Sequence, residues 1–285
     1  MLSIRQYQSD QLDHIVHRIL QCAAIEKLYL HGIRFQQQNS LSVFTGRSSQ
    51  QHRVLQYHFL ALLEQGQEYI TSATQDKIEN GCRAITSVSA CVLGMKQFNE
   101  WLSSGYSFAH QIFHNALLCH DAGTIPFASP GRYHQPGSHE LKLWRDRAKH
   151  FFAGAEQYIS QKQYALAAFM LHQCTEQSLI ALIMAATGFR APWHKMERLI
   201  NMALPLSEGL DEIFPRDTEK EEGLFRLLQN AYTQPRYRHD YEISATEILT
   251  LADRVRRVME LTKPVKKEGM IELVLVSPER MSILG

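Results

Sequence analysis

The pattern of apolar and polar positions centres on one segment, Tyr164 to Gly188, reading YALAAFMLHQCTEQSLIALIMAATG. Apolar or small residues recur at Ala167, Met170, Leu171, Cys174, Ser178, Ala181, Leu182 and Ala185, steps that follow one helix face. No proline interrupts the segment, and Gly188 stands where a helix-ending residue belongs. From Leu179 to Ala186 the pattern is apolar almost all round, which predicts a central helix of a bundle, buried on more than one side. His172, Gln173, Glu176 and Gln177 interrupt it, and His172 and Glu176, one helical turn apart, share a face. Two readings of these polar residues stand: they hydrogen-bond neighbouring helices, or they line a polar cleft.

Before this segment the pattern is mixed. Leu12, Ile15, Val16, Ile19 and Leu20 predict an opening helix over residues 6–24, with Ser9 and Asp10 able to cap its start. IEKLYLHG (Ile25 to Gly32) reads as a strand ending in a glycine turn, and LSVFTG (Leu41 to Gly46) as a second short strand. Tyr57 to Gly66 is a strand or a short helix; Arg83 to Met95, β-branched and small, is a strand. Phe98, Trp101 and Leu102 form one helical face before Gly105, and Phe108, Ile112, Ala116 and Leu117 the next. Residues 121–138 hold three of the nine prolines together with several glycines, which marks a linker or domain edge.

Beyond the linker the pattern is helical. It predicts an amphipathic helix from Leu141 to Ile159 carrying Trp144, Ala148, Phe151 and Phe152, the central helix, and a short helix near His194 to Met202. Thr218 with Glu221 suggests a capped helix through Asn230, and Ser244 opens a last long helix with Ile248, Leu251, Val255 and Val258 inward. Arg254, Arg256 and Arg257 fall on its expected solvated outer face. The tail after Pro264 ends in the strand-like IELVLVS, able to add to a sheet or a partner.

Composition narrows the function classes. The chain has 285 residues, long for one domain, so two are expected. A net charge of +1 gives no global attraction to nucleic acid or membrane. The five cysteines are scattered and never form a Cys-x-x-Cys pair, which argues against a disulfide framework and a zinc site and fits a reducing cytoplasm. The start MLSIRQYQSD is too polar for a signal peptide, and no apolar run is expected to span a bilayer. His134, His139 and His150 lack carboxylate or thiol partners at metal spacing, so no metal and no cofactor are assigned.

With the helices placed, the carboxy-terminal half resembles the HEPN family. The resemblance rests on AAFMLHQCTEQ (Ala167 to Gln177), TGFRAPWHKMERL (Thr187 to Leu199), FPRDTEKEEGLFRLLQNAYTQPRYRHDYEI (Phe214 to Ile243) and the final helix. It implies an all-α up-and-down bundle, often paired as a homodimer. The amino-terminal half resembles the nucleotidyltransferase domain that commonly precedes HEPN in bacterial proteins. The whole is then α+β: a small α/β nucleotidyltransferase-like domain over 1–137, a HEPN bundle over 138–264, and a tail over 265–285. Active transferases of that kind follow their first strand with Gly-Ser and two carboxylates one residue apart, which hold divalent metals. Here Gly32-Ile33 stands in that place, and no Asp or Glu lies between Glu26 and Glu64. The resemblance therefore implies a degenerate domain without nucleotidyl transfer.

For the bundle the resemblance implies two outcomes. Ribonuclease members carry an Arg four to six residues before a His, brought together by dimerisation. Here the weak catalytic candidates are Arg236 and His239, with only two residues between them, while His239-Asp240-Tyr241 keeps the His-x-Tyr spacing of some toxin members. The other outcome is binding of a nucleotide or other anion without chemistry. Arg236 and Arg238 offer forked donors for phosphate. Tyr237 and Tyr241, with Tyr232, offer rings for a base, and His172, Glu176, His194 and Lys195 complete a cleft. Bland alternatives stand beside each: Tyr237 closing the bundle through its hydroxyl, Arg236 pairing with Glu176 or the acidic run Glu219 to Glu222, and His194 starting a helix. The reading is a cytoplasmic, non-catalytic nucleotide- or anion-binding module, with nucleotide or RNA as ligand and no membrane partner. The alternatives are a metal-independent toxin–antitoxin ribonuclease and a protein-interaction or dimerisation scaffold.

Overall fold

The computed structural model describes residues 6–35, 40–42, 54–64, 71–134, 138–207, 209–237 and 241–262. The strand-like tail expected at 271–277 lies outside them. The chain forms two compact units, one built on residues up to 135 and one on residues 136–266.

The first unit is a five-stranded mixed sheet with helices. Its elements are α1 (Gln6–Cys22), β1 (Ile25–Phe35), β2 (Ser40–Ser42), β3 (Val54–Leu63), α2 (Thr71–Cys82), β4 (Ser87–Gly94), α3 (Met95–Ser103), α4 (Ser107–Asn115) and β5 (Leu117–Asp121). The long β1 lies between antiparallel β3 on one side and antiparallel β2 and β5 on the other; β4 runs parallel to β3, with α2 as the crossover. The predicted face of α1 is buried at Leu12, Ile15 and Ile19. The helix begins ahead of Ser9 and Asp10, so these two lie within it rather than capping it.

Alternation along β1 and β3 gives the sheet two covered faces. Tyr57 donates to Gln11 Oε1 of α1 at 3.2 Å, while Tyr29, on the other face, stacks on Phe98 of α3 at 6.3 Å. Gly32 does not end β1. The register slips between Leu30 and Gly32, so His31 occupies a bulge and the strand continues to Phe35; a glycine tolerates that backbone detour as readily as a turn. Ala116 and Leu117 do not extend α4. Ala116 is extended, and Leu117 opens β5, because pairing with β1 offers its backbone a ladder.

The second unit holds α5 (Ser138–Ser160), α6 (Tyr164–Thr187), α7 (Met196–Ala203), a 3-10 turn (Leu204–Leu206), α8 (Leu210–Ile213), α9 (Glu219–Asn230), α10 (Gln234–Tyr237) and α11 (Ala245–Leu261). Helix α6 touches α5, α7, α9, α10 and α11. It is long and apolar enough to cross a membrane by length and composition, contrary to expectation, yet 78% of that stretch is buried within the structure. Gly188 ends it in the left-handed conformation at φ 78°, donating to the Met184 carbonyl. Thr218 caps α9, and Ser244 with Glu247 forms a reciprocal capping box on α11.

Arg254 departs from the expected solvated face. It is 8% exposed, and its guanidinium is ion-paired with Glu221 of α9. Its position, one step from Val255 and three from Leu251, turns the stem inward, and the fork meets the Glu221 carboxylate reaching over it. Arg256 stays exposed, 3.4 Å from Glu156.

This packing makes the two arginines unequal. Glu221→Ala leaves Arg254 buried without its carboxylate and costs about 1–3 kcal/mol in urea unfolding, whereas Arg256→Ala, an exposed pair, costs under about 1 kcal/mol. In the first unit, burial pushes the His31 imidazole from 6.5 down to about 4, and burial with neighbouring His31 and Arg34 holds His58 well below its ordinary value. The unfolded chain takes up these protons first, so the stability present above pH 6.5 is lost as pH falls toward 4. Urea midpoints measured across that window should decline, and less so in His31→Gln.

Candidate functional site

The polar residues of α6 stand at its middle, before the stretch that is apolar all round. His172 and Glu176 are both buried, at 2% and 4% exposure. The Glu176 carboxylate is the hub. Its Oε1 lies 2.9 Å from His194 Nδ1, and its Oε2 accepts from Gln173 Nε2 at 3.4 Å. Gln173 Nε2 also lies 3.2 Å from His172 Nδ1. The Tyr232 ring covers His172 with centroids 5.3 Å apart. The base of the cluster is therefore buried, while its lip is open: the His194 side chain is 76% exposed and Tyr232 40%.

Each element reaches this place for a local reason. His194 precedes the amino-terminal cap of α7, which is Lys195; the Lys195 carbonyl accepts from Arg198 and Leu199, and its side chain is exposed. Tyr232 lies in the turn that follows α9, two residues before α10, and α10 packs against α6. Arg236 and Tyr237 are in α10; their side chains, and all of Arg238 and His239, lie outside the described residues. The expected pairing of Arg236 lies outside the described residues; among those described, Glu176 contacts His194 and Glu221 contacts Arg254.

Residues 141–265 match the family model of the HEPN domain. This part of the chain is a HEPN domain. Two solved structures are similar. TT1696 from Thermus thermophilus is 19% identical, covers 44% of this chain and 96% of its own, with a TM-score of 0.33. ST0689, an archaeal HEPN homologue, is 18% identical, covers 43% of this chain and 94% of its own, with a TM-score of 0.30. No curated protein matches the chain.

Within the HEPN domain Tyr241, expected as a stacking ring, is 8% exposed and donates its hydroxyl to the Leu227 carbonyl at 3.0 Å. It closes the approach to α11 onto α9, the role considered for Tyr237. Burial raises its phenol well above the ordinary range, with Glu247 adding to the shift. Beside it a shallow cavity of about 530 Å³ is walled by Tyr164, Ala165, Tyr241, Glu242, Ile243, Ser244 and Glu247. Hydrogen bonds from Ser244 hold the Glu247 carboxyl below its ordinary value. A cavity carrying two carboxylates repels phosphate.

The amino-terminal unit contains a carboxylate pair that sequence reasoning missed. Glu26 is the second residue of β1 and Asp121 ends β5, and Lys27 lies between them, 3.3 Å from Glu26 and 2.5 Å from Asp121. Burial works to raise the Glu26 carboxyl, but hydrogen bonds from Thr124, the Ile125 amide and Lys27 outweigh it and hold it ionised below the usual range. The Lys27 ammonium lies 4.6 Å above the Phe127 ring. Both carboxylates are thus engaged by a cation from their own chain, and among the described residues no group of three metal-ligating side chains forms. The antiparallel pairing of β5 with β1 was the missing signal, since it joins residues far apart in sequence.

The role of Tyr241 can be checked directly. Tyr241→Phe leaves the Leu227 carbonyl without its donor and should lower stability by about 1 kcal/mol in urea unfolding, with ligand affinity unchanged.

Proposed function

We propose that the HEPN domain binds a nucleotide or another phosphate-bearing anion without performing chemistry on it, at the edge formed by α6, the start of α7 and α10. The observation that carries this reading is the contact between buried Glu176 and exposed His194 beside the His172–Tyr232 pair. Glu176 orients His194 through the 2.9 Å contact, and Lys195 adds an exposed cation beside it. Arg236 and Arg238 supply forked donors from the segment that follows Tyr232. Tyr232, 40% exposed, gives a base a surface to stack on. The amino-terminal unit serves as a degenerate, non-transferring companion, and the bundle pairs with a second copy.

The test is a thermal-shift titration of the full chain with ATP, ADP, GTP and a short RNA, run on wild type and Arg236→Ala, with RNA integrity followed in the same samples. A ligand at a hundred times its Kd adds about 2.7 kcal/mol, so one of these should raise the melting temperature by several degrees in wild type and not in the variant, with RNA intact. No shift at millimolar nucleotide overturns the proposal. RNA cleavage without added metal, abolished by His239→Ala, replaces it with the ribonuclease reading.

A further inference from the structure

His110 and His114 stand one turn apart on α4, and neither belongs to the HEPN domain or to the site above. Their ring centroids are 4.3 Å apart with planes inclined at 48°. Among the described residues neither imidazole is hydrogen-bonded or ion-paired to an acid. His114 is exposed and His110 half-buried, so the pair opens to solvent on one side. On the other side the Tyr133 ring packs against His110 at 5.2 Å.

We propose that His110 and His114 form a two-histidine site for a divalent first-row transition ion of the nickel or copper type. Two imidazole nitrogens bound to one ion at about 2.1 Å place their ring centres roughly 4 to 5 Å apart when they occupy neighbouring corners near a right angle. The observed separation of 4.3 Å falls within that span. A near-right angle suits the square-planar or octahedral preference of nickel and copper better than the wider tetrahedral angle of zinc. Water fills the remaining positions. Spacing of four on a helix is the arrangement that lets two histidines reach one ion.

The surroundings hold the pair in place. The segment carrying Tyr133 is tied to the turn ahead of α4 by Gly131 donating to Leu102 at 2.9 Å and His134 donating to Gly105 at 2.9 Å. That approach needs glycine: a Cβ on Gly105, at φ +74°, would lie 1.8 Å from the Arg132 carbonyl. Phe113, between the two histidines in sequence, packs on Phe127 at 5.1 Å and meets the His114 ring edge-on at 5.1 Å. Burial, with His114 beside it, keeps the His110 imidazole below its ordinary value.

The experiment is calorimetric titration of the full-length, tag-free chain with nickel chloride at pH 7.5, on wild type, His110→Asn, His114→Asn and His134→Asn. The last is a control needed because the chain has fourteen histidines. One nickel per chain at micromolar Kd is expected, weakened at least tenfold in His110→Asn and His114→Asn and unchanged in His134→Asn. Since His114 is exposed, its variant should keep the wild-type melting temperature without metal, and the gain in melting temperature that nickel gives wild type should vanish. Equal nickel affinity in wild type and His114→Asn, or no binding below millimolar, overturns the proposal.

Discussion

In its middle stretch helix α6 has no face to give to water. From Leu179 to Met184 every side chain is buried, and five other helices of its unit are in contact with it. A helix of this kind is not stable until it is wrapped, so the arrangement of α5, α7, α9, α10 and α11 follows from the need to cover it. The caps at Gly188, Thr218 and Ser244 then fix where α6 stops and where α9 and α11 start. The ion pair of Arg254 with Glu221 joins two of those helices at a point where an apolar contact would also have served.

The same burial decides where a polar site can exist. A carboxylate inside such a helix needs a partner, and Glu176 obtains one from His194, 18 residues further along the chain, rather than from a cation on α6. His172 obtains the Tyr232 ring from the turn after α9. The polar stretch of α6 is consequently the place where three separate segments must converge. A convergence forced by burial is a scaffold on which ligand-facing groups can be held in fixed positions at little extra cost.

Much of this is legible in the sequence, and the misses have physical causes. The period of α6, the inward residues of α11 and the placing of His172 and Glu176 on one turn are local patterns, and local patterns survive translation into helices. Helix α2 has no such signature, because TSATQDKIENGC offers too few apolar residues for a period; it is fixed instead by Glu79, which accepts from Gln75 and from the Ala90 amide of β4. The strand β5 hides in an apolar run that also continues the α4 pattern. Gly32 reads as a stop because glycine serves turns and bulges alike. Arg254 reads as solvated because charge in a sequence does not show which carboxylate will fold over it. Sequence reasoning brings Glu176 and His194 into one cleft; their direct contact belongs to the tertiary fold.

The two carboxylate clusters show why similar chemistry has different consequences. Glu26 is fully buried, and its oxygens are taken by Thr124, the Ile125 amide and a lysine that is itself buried and shared with Asp121. Removing any of these contacts to admit a ligand would strand a charge in the interior, a cost of several kcal/mol, so that cluster is committed to holding β1 against β5. Glu176 is also buried, yet its partner His194 is an exposed imidazole that can turn outward without unfolding anything. The asymmetry in exposure between partner and hub, rather than the identity of the residues, separates the open cluster at Glu176 from the closed one at Glu26.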